Sequence, residues 1–125
     1  MKDYIEKAIR TESKLDVESL KRMTYNSRAI HAFLGLSTEI GELADEFKKH
    51  LFYNQTLDMS NIVEEVGDLL WYIAILLDHC GVKDITKCME ANIQKLKKRY
   101  PEKYTHKDAV ERNIVEEKEE IKKII

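Results

Sequence analysis

Helix-breaking residues are scarce in this chain: 125 residues include one proline and four glycines. So small a supply of turn formers speaks against a sheet protein with many tight turns, while 43% hydrophobic residues speak against a disordered chain. Cysteine is scarce as well. Cys80 and Cys88 form no CxxC pair, so zinc is not expected and the pair reads as free thiols in a reducing compartment. Neither sign of charge dominates: 21 Lys and Arg against 23 Asp and Glu leave a net charge of −2, which gives no bulk attraction to a nucleic-acid backbone. Long apolar runs are missing too. The longest, Leu69 to Leu77, has nine residues, well short of the roughly 20 that span a bilayer. The opening MKDYIEKAIRTES has no apolar core of a signal peptide. The expectation is one cytoplasmic domain over residues 1–125, with no nucleic-acid or membrane partner.

What the sequence does contain is helical periodicity. Residues 2–10 suit a short helix. A long helical stretch runs from about Val17 to Leu51, with a bend expected near Gly35 where a small residue interrupts the pattern. Phe52 to Asp58 reads as a connection. Asp58 or Ser60 can cap the next helix, which runs to Cys80 and stops at Gly81, a residue that tolerates the left-handed conformation. A fourth helix spans about Asp84 to Arg99 and ends ahead of Pro101. A charged terminal helix is expected over residues 108–125. No strand survives the alternation test, so the fold class is all-α, an antiparallel helical bundle of four to five helices.

The acids on two of these helices are placed unusually. At 100° per residue, Glu39, Glu42 and Glu46 fall in one stripe about 60° wide beside an apolar face that includes Phe33, Ile40, Leu43 and Phe47. On the following helix Asn61, Glu65, Asp68 and Tyr72 form a similar stripe beside Ile62, Val66, Leu69 and Ile73. If the helices pack through their apolar faces, both acidic edges line one groove. Carboxylates that close raise one another's pKa values and oppose folding unless a cation neutralises them. With oxygen ligands and no neighbouring Cys or His, Mg²⁺ is the favoured ion, with Mn²⁺ as a substitute.

Spacing alone is weak evidence. The chain holds seven acid-x-x-acid pairs where roughly four would arise by chance, and most such pairs are solvated helix faces. The pairs 39/42 and 65/68 stand apart because they sit in the most apolar helices, with Gly41 and Gly67 inside them. A di-iron carboxylate bundle would need Glu-x-x-His pairs. None is present, since Arg28, Phe47, Leu76 and Lys103 precede His31, His50, His79 and His106 by three.

The fourth helix carries a basic stripe, Asn92, Lys95 and Arg99. Metal-binding carboxylates beside such a stripe suit a polyphosphate, whose outer oxygens Lys and Arg can hold. An ordinary exposed face is the competing reading of that stripe.

The ordered set Glu39-x-x-Glu42, Glu65-x-x-Asp68 and Asn92-x-x-Lys95-Leu96-x-x-Arg99-Tyr100-Pro101 resembles the MazG-like nucleoside triphosphate pyrophosphohydrolases of the all-α pyrophosphatase superfamily, over about residues 30–113. The stretches KKHLFYNQTLD and EEVGDLLWYIA add to the likeness. The resemblance implies Mg²⁺-dependent hydrolysis of a nucleoside triphosphate between its α and β phosphates, giving a monophosphate and pyrophosphate. It implies Glu39, Glu42, Glu65 and Asp68 as metal-binding and catalytic acids, and Asn92, Lys95, Arg99 and Tyr72 as substrate contacts. It also implies a homodimer or homotetramer with sites close to subunit interfaces, which gives Trp71 a place in subunit packing. Glu42 and Glu46 are both candidates for the base. Two alternatives stay open: a non-catalytic helical metal-binding or interaction module, and a base-specific relative acting on dUTP, dCTP or phosphoribosyl-ATP.

Overall fold

A computed structural model describes residues 2–124. Seven α-helices, and no strand, occur among the described residues: α1 (Lys2–Ile9), α2 (Val17–Tyr25), α3 (Ser27–Tyr53), α4 (Met59–His79), α5 (Ile85–Arg99), α6 (His106–Val110) and α7 (Ile114–Lys122). The all-α expectation holds, with more helices than the four to five anticipated.

The helix starts follow local chemistry. Asp16, Asp58, Asp84, Thr105 and Asn113 each accept a backbone N–H of the first turn of α2, α4, α5, α6 and α7, satisfying donors that no helix can satisfy internally. The ends are equally local. Asn54 closes α3 in the left-handed region, φ 53°, and Gly81 follows α4 at φ 85°.

Two boundaries differ from the sequence reading. The long stretch breaks at Asn26, not at Gly35. The Asn26 amide donates from Nδ2 to the Arg22 carbonyl at 2.8 Å, and its Oδ1 lies 3.1 Å from His79 Nε2 on α4. A side chain that competes for backbone groups and finds a tertiary partner ends the helix there. Gly35 stays inside α3 because its missing side chain makes room for the Tyr72 ring. The tail is likewise two helices, divided at residues 111–113, where Asn113 starts α7. The first connection is also shorter than expected, since Phe52 and Tyr53 remain in α3.

α3 and α4 form an antiparallel hairpin, the most extensive pairing in the chain. Arg28 Nη2 meets Asp78 Oδ2 at 2.9 Å at one end, and Gly35 faces Tyr72 further along. α5 pairs with α7, and α2 leans on α3. The apolar interior is small. Among the described residues the buried apolar side chains are Ala32 and Ala91, while Phe33 is 65% and Trp71 70% exposed.

Candidate metal and phosphate site

The i, i+3 spacing of Glu39 and Glu42 puts both carboxylates on the face of α3 that meets α4. The antiparallel register then brings Glu65 of α4 opposite them. One oxygen from each of Glu39, Glu42 and Glu65 lies within 4.8 Å of the others. The three differ in exposure: Glu42 is exposed, Glu39 half-buried, and Glu65 buried at 6%. Burial pushes the Glu65 carboxyl above its ordinary value, and the negative charges of Glu42, Glu39, Glu64 and Asp68 push it further. Among the described residues no cationic side chain forms an ion pair with the trio. An all-oxygen donor set of this density fits a hard divalent cation, whose charge would relieve the repulsion.

Asp68 stands outside the trio, exposed one turn along α4, though close enough for its charge to act on Glu65. Two of the trio, Glu42 and Glu65, line a cleft of about 740 Å³ together with Asp45, Glu46, Lys49 and Asn61. Lys49 Nζ donates to Glu46 at 2.9 Å and lies 3.0 Å from Asp45. Glu46 is thereby engaged on the cleft wall instead of joining the trio. Sequence reasoning passed over Lys49, although its spacing from Asp45 and Glu46 signalled the pairing.

Tyr72 is half-buried, with its ring against Gly35 and edge-on to His31 at a centroid distance of 5.8 Å. Gly35 precedes Glu39 by one helical turn, so Tyr72 borders the carboxylate end of the hairpin. The basic stripe lies elsewhere in the chain. Asn92 borders an apolar cavity of about 300 Å³ between the end of α4, α5 and α7. Lys95 is half-buried and has no ion-pair partner among the described residues. Arg99 is held by α7: its Nε and Nη2 donate to Glu117 Oε1 and Oε2 at 2.9 and 2.5 Å. No hydrogen bond or ion pair among the described residues joins these three side chains to the carboxylate trio.

A family model for the MazG nucleotide pyrophosphohydrolase domain matches residues 30–104. The chain belongs to the MazG family. The match covers nearly all of α3, all of α4 and α5, and with them every carboxylate of the candidate site. Membership gives the chain the activity class of a nucleotide pyrophosphohydrolase, a hydrolase of phosphoanhydride bonds. No curated protein and no solved structure matches it. α6 and α7 lie beyond the MazG segment, so the Glu117 that grips Arg99 belongs to a part of the chain outside the family domain. No described helix is long and apolar enough to cross a membrane.

Proposed function

We propose that this MazG protein, as one domain over residues 1–125, hydrolyses a nucleoside triphosphate between its α and β phosphates, releasing a nucleoside monophosphate and pyrophosphate. The convergence of Glu39, Glu42 and Glu65, with the third of them buried, carries this reading. Three carboxylates gathered beside an open cleft repel one another, and a bound divalent cation would relieve that repulsion. Glu39, Glu42 and Glu65 would hold Mg²⁺, or Mn²⁺ in its place, with Asp68 one turn away as a further ligand. When bound, the ion supplies Lewis-acid polarisation of phosphoryl oxygens.

The chain's own residues supply the rest. Glu46 is committed to Lys49, and Glu42, the exposed member of the trio, can orient the attacking water with the carboxylate oxygen it does not give to the ion. Asn92, Lys95 and Arg99 contact the nucleotide and its outer phosphates, and Tyr72 walls the pocket. Exposed Phe33, Trp71 and Leu51 on the hairpin support a homodimer or homotetramer in which a second copy covers this face. Such an assembly also offers a way to bring α5 of one copy towards the trio of another. A cytoplasmic setting suits the nucleotide substrate and the free thiols.

The test is a panel of ribo- and deoxyribonucleoside triphosphates incubated with and without Mg²⁺, resolving mono-, di- and pyrophosphate. Monophosphate with pyrophosphate, lost in EDTA, is the expected result. Diphosphate with phosphate would place cleavage at another bond, and no turnover on any triphosphate would remove the proposed substrate class.

A further inference from the structure

Beyond the MazG segment, α7 carries a carboxylate in an unusual position. Glu117 is buried, its side chain 5% exposed, and it receives two arginines at once. Arg99 donates Nε to Oε1 and Nη2 to Oε2; Arg112 does the same, at 3.3 and 2.8 Å. Each carboxylate oxygen therefore accepts two bonds. One negative charge sits between two permanent positive ones, so the cluster keeps a net charge of +1. Both guanidiniums meet Glu117 through Nε and Nη2, so neither Nη1 group is spent on it, and Arg112 remains 41% exposed.

We propose that Arg99 and Arg112, held side by side by Glu117, form a two-arginine site for the phosphate chain of the substrate, with Glu117 as its positioning residue. The choice of ligand rests on the function proposed above. With Nε and Nη2 of each arginine engaged by Glu117, the Nη1 N–H groups are left to meet phosphate oxygens, on Arg112 from an open side chain and on Arg99 from one 15% exposed. Fixing two forks before the ligand arrives lowers the entropy lost on binding. A carboxylate saturated by four hydrogen bonds and shielded from water is poorly suited to stepping aside for a ligand, which favours a positioning role over a competing one. Arg112 thus joins the expected phosphate contacts, supplied by a segment outside the MazG domain.

Calorimetric titration of the intact chain with inorganic pyrophosphate in EDTA reads the arginine pair without a metal at the carboxylates. Arg112→Gln should weaken binding about tenfold, the loss of one charge-assisted contact. Glu117→Gln should weaken it similarly, Glu117→Asp less, and the ¹⁵Nε resonances of Arg99 and Arg112 should both shift on titration of the unaltered chain. Wild-type affinity in Arg112→Gln, tighter binding in Glu117→Gln, or no binding by the unaltered chain would each overturn the proposal. If Glu117→Gln does not fold, the exposed Arg112→Gln and Arg112→Lys variants decide it. Pyrophosphate bound by the arginines without triphosphate turnover would refute the proposed activity alone, and turnover without that binding would refute the arginine site alone.

Discussion

The ring of Tyr72 fills the space that a side chain at Gly35 would need: a Cβ at that position would overlap the ring at Cε1, Cζ and Cδ1. Since the ring is also packed against His31, it cannot move freely. Gly35→Ala should destabilise the protein by about 1–3 kcal/mol through overpacking, more than the roughly 1 kcal/mol gained from helix propensity. At Gly67 an added Cβ meets nothing within 4 Å, so Gly67→Ala should gain up to about 1 kcal/mol. Chemical denaturation of both variants checks the contrast; equal stability changes would contradict it.

Glu65→Gln should act in opposite directions with and without metal. In EDTA the variant should melt higher, because a buried charge facing like charges has been removed. In excess Mg²⁺ the order should reverse, since a site-bound ion at a hundred times its dissociation constant stabilises the wild type by about 2.7 kcal/mol. The Glu65 carboxyl is raised from 4.5, so its contribution is favourable below that pH and is lost as pH rises through the higher folded-state value. Thermal melts across pH in EDTA should show this decline in the wild type and not in the variant. A melting temperature indifferent to Mg²⁺ would argue against a metal at the trio.

The pH dependence of Glu117 has the other sign. Hydrogen bonds from Arg99 and then Arg112 hold its carboxyl down to about 2. Its stabilising contribution is therefore present above about 4.5, the ordinary value, and is lost as pH falls towards 2. The difference in melting temperature between wild type and Glu117→Gln should shrink over that window. A constant difference would show that the carboxylate charge contributes nothing.

Turnover should fall more than about 100-fold in Glu39→Gln and Glu42→Gln, because even partners of metal ligands cost 10–100-fold in metal affinity or activity. Far-UV circular dichroism should be unchanged, as both side chains are at least partly exposed. Activity close to wild type in either variant would remove that residue from the site.

If the proposed oligomer forms through the exposed face of the hairpin, Trp71→Glu should dissociate it. A charge at the centre of an apolar interface is costly to desolvate, whereas at a 70% exposed position of an isolated chain it costs little. Light scattering after size exclusion distinguishes the two: an unchanged mass for the variant would place the interface elsewhere.

Much of this was legible in the residues. Asp58 and Asp84 announced the starts of α4 and α5, and Gly81 the end of α4, because caps and left-handed turns are set by neighbours in sequence. Glu39, Glu42 and Glu65 were legible through helical spacing inside apolar helices. Asp68 shares that spacing, yet one turn of α4 carries it out of the trio. What sequence could not supply depends on packing between distant segments. Gly35 looked like a bend because its partner, Tyr72, is far along the chain, and Asn26 breaks the helix partly through His79. Glu117 lies in a charged run whose spacing carries no sign of burial. Its burial follows only when α7 lies along α5, which also turns Arg99 from a free phosphate contact into one arm of a triad.

The α3–α4 hairpin also bears on how the protein reaches its native state. All four motif acids lie between residues 39 and 68, on two helices joined by a five-residue turn, so the carboxylates meet as soon as this one local element closes. Helical hairpins with contacts of low sequence separation form quickly. The nascent chain can thus bring Glu39, Glu42 and Glu65 together before α5 to α7 have left the ribosome, so the proposed cation, if bound there, would hold the hairpin during synthesis as well as in the finished protein.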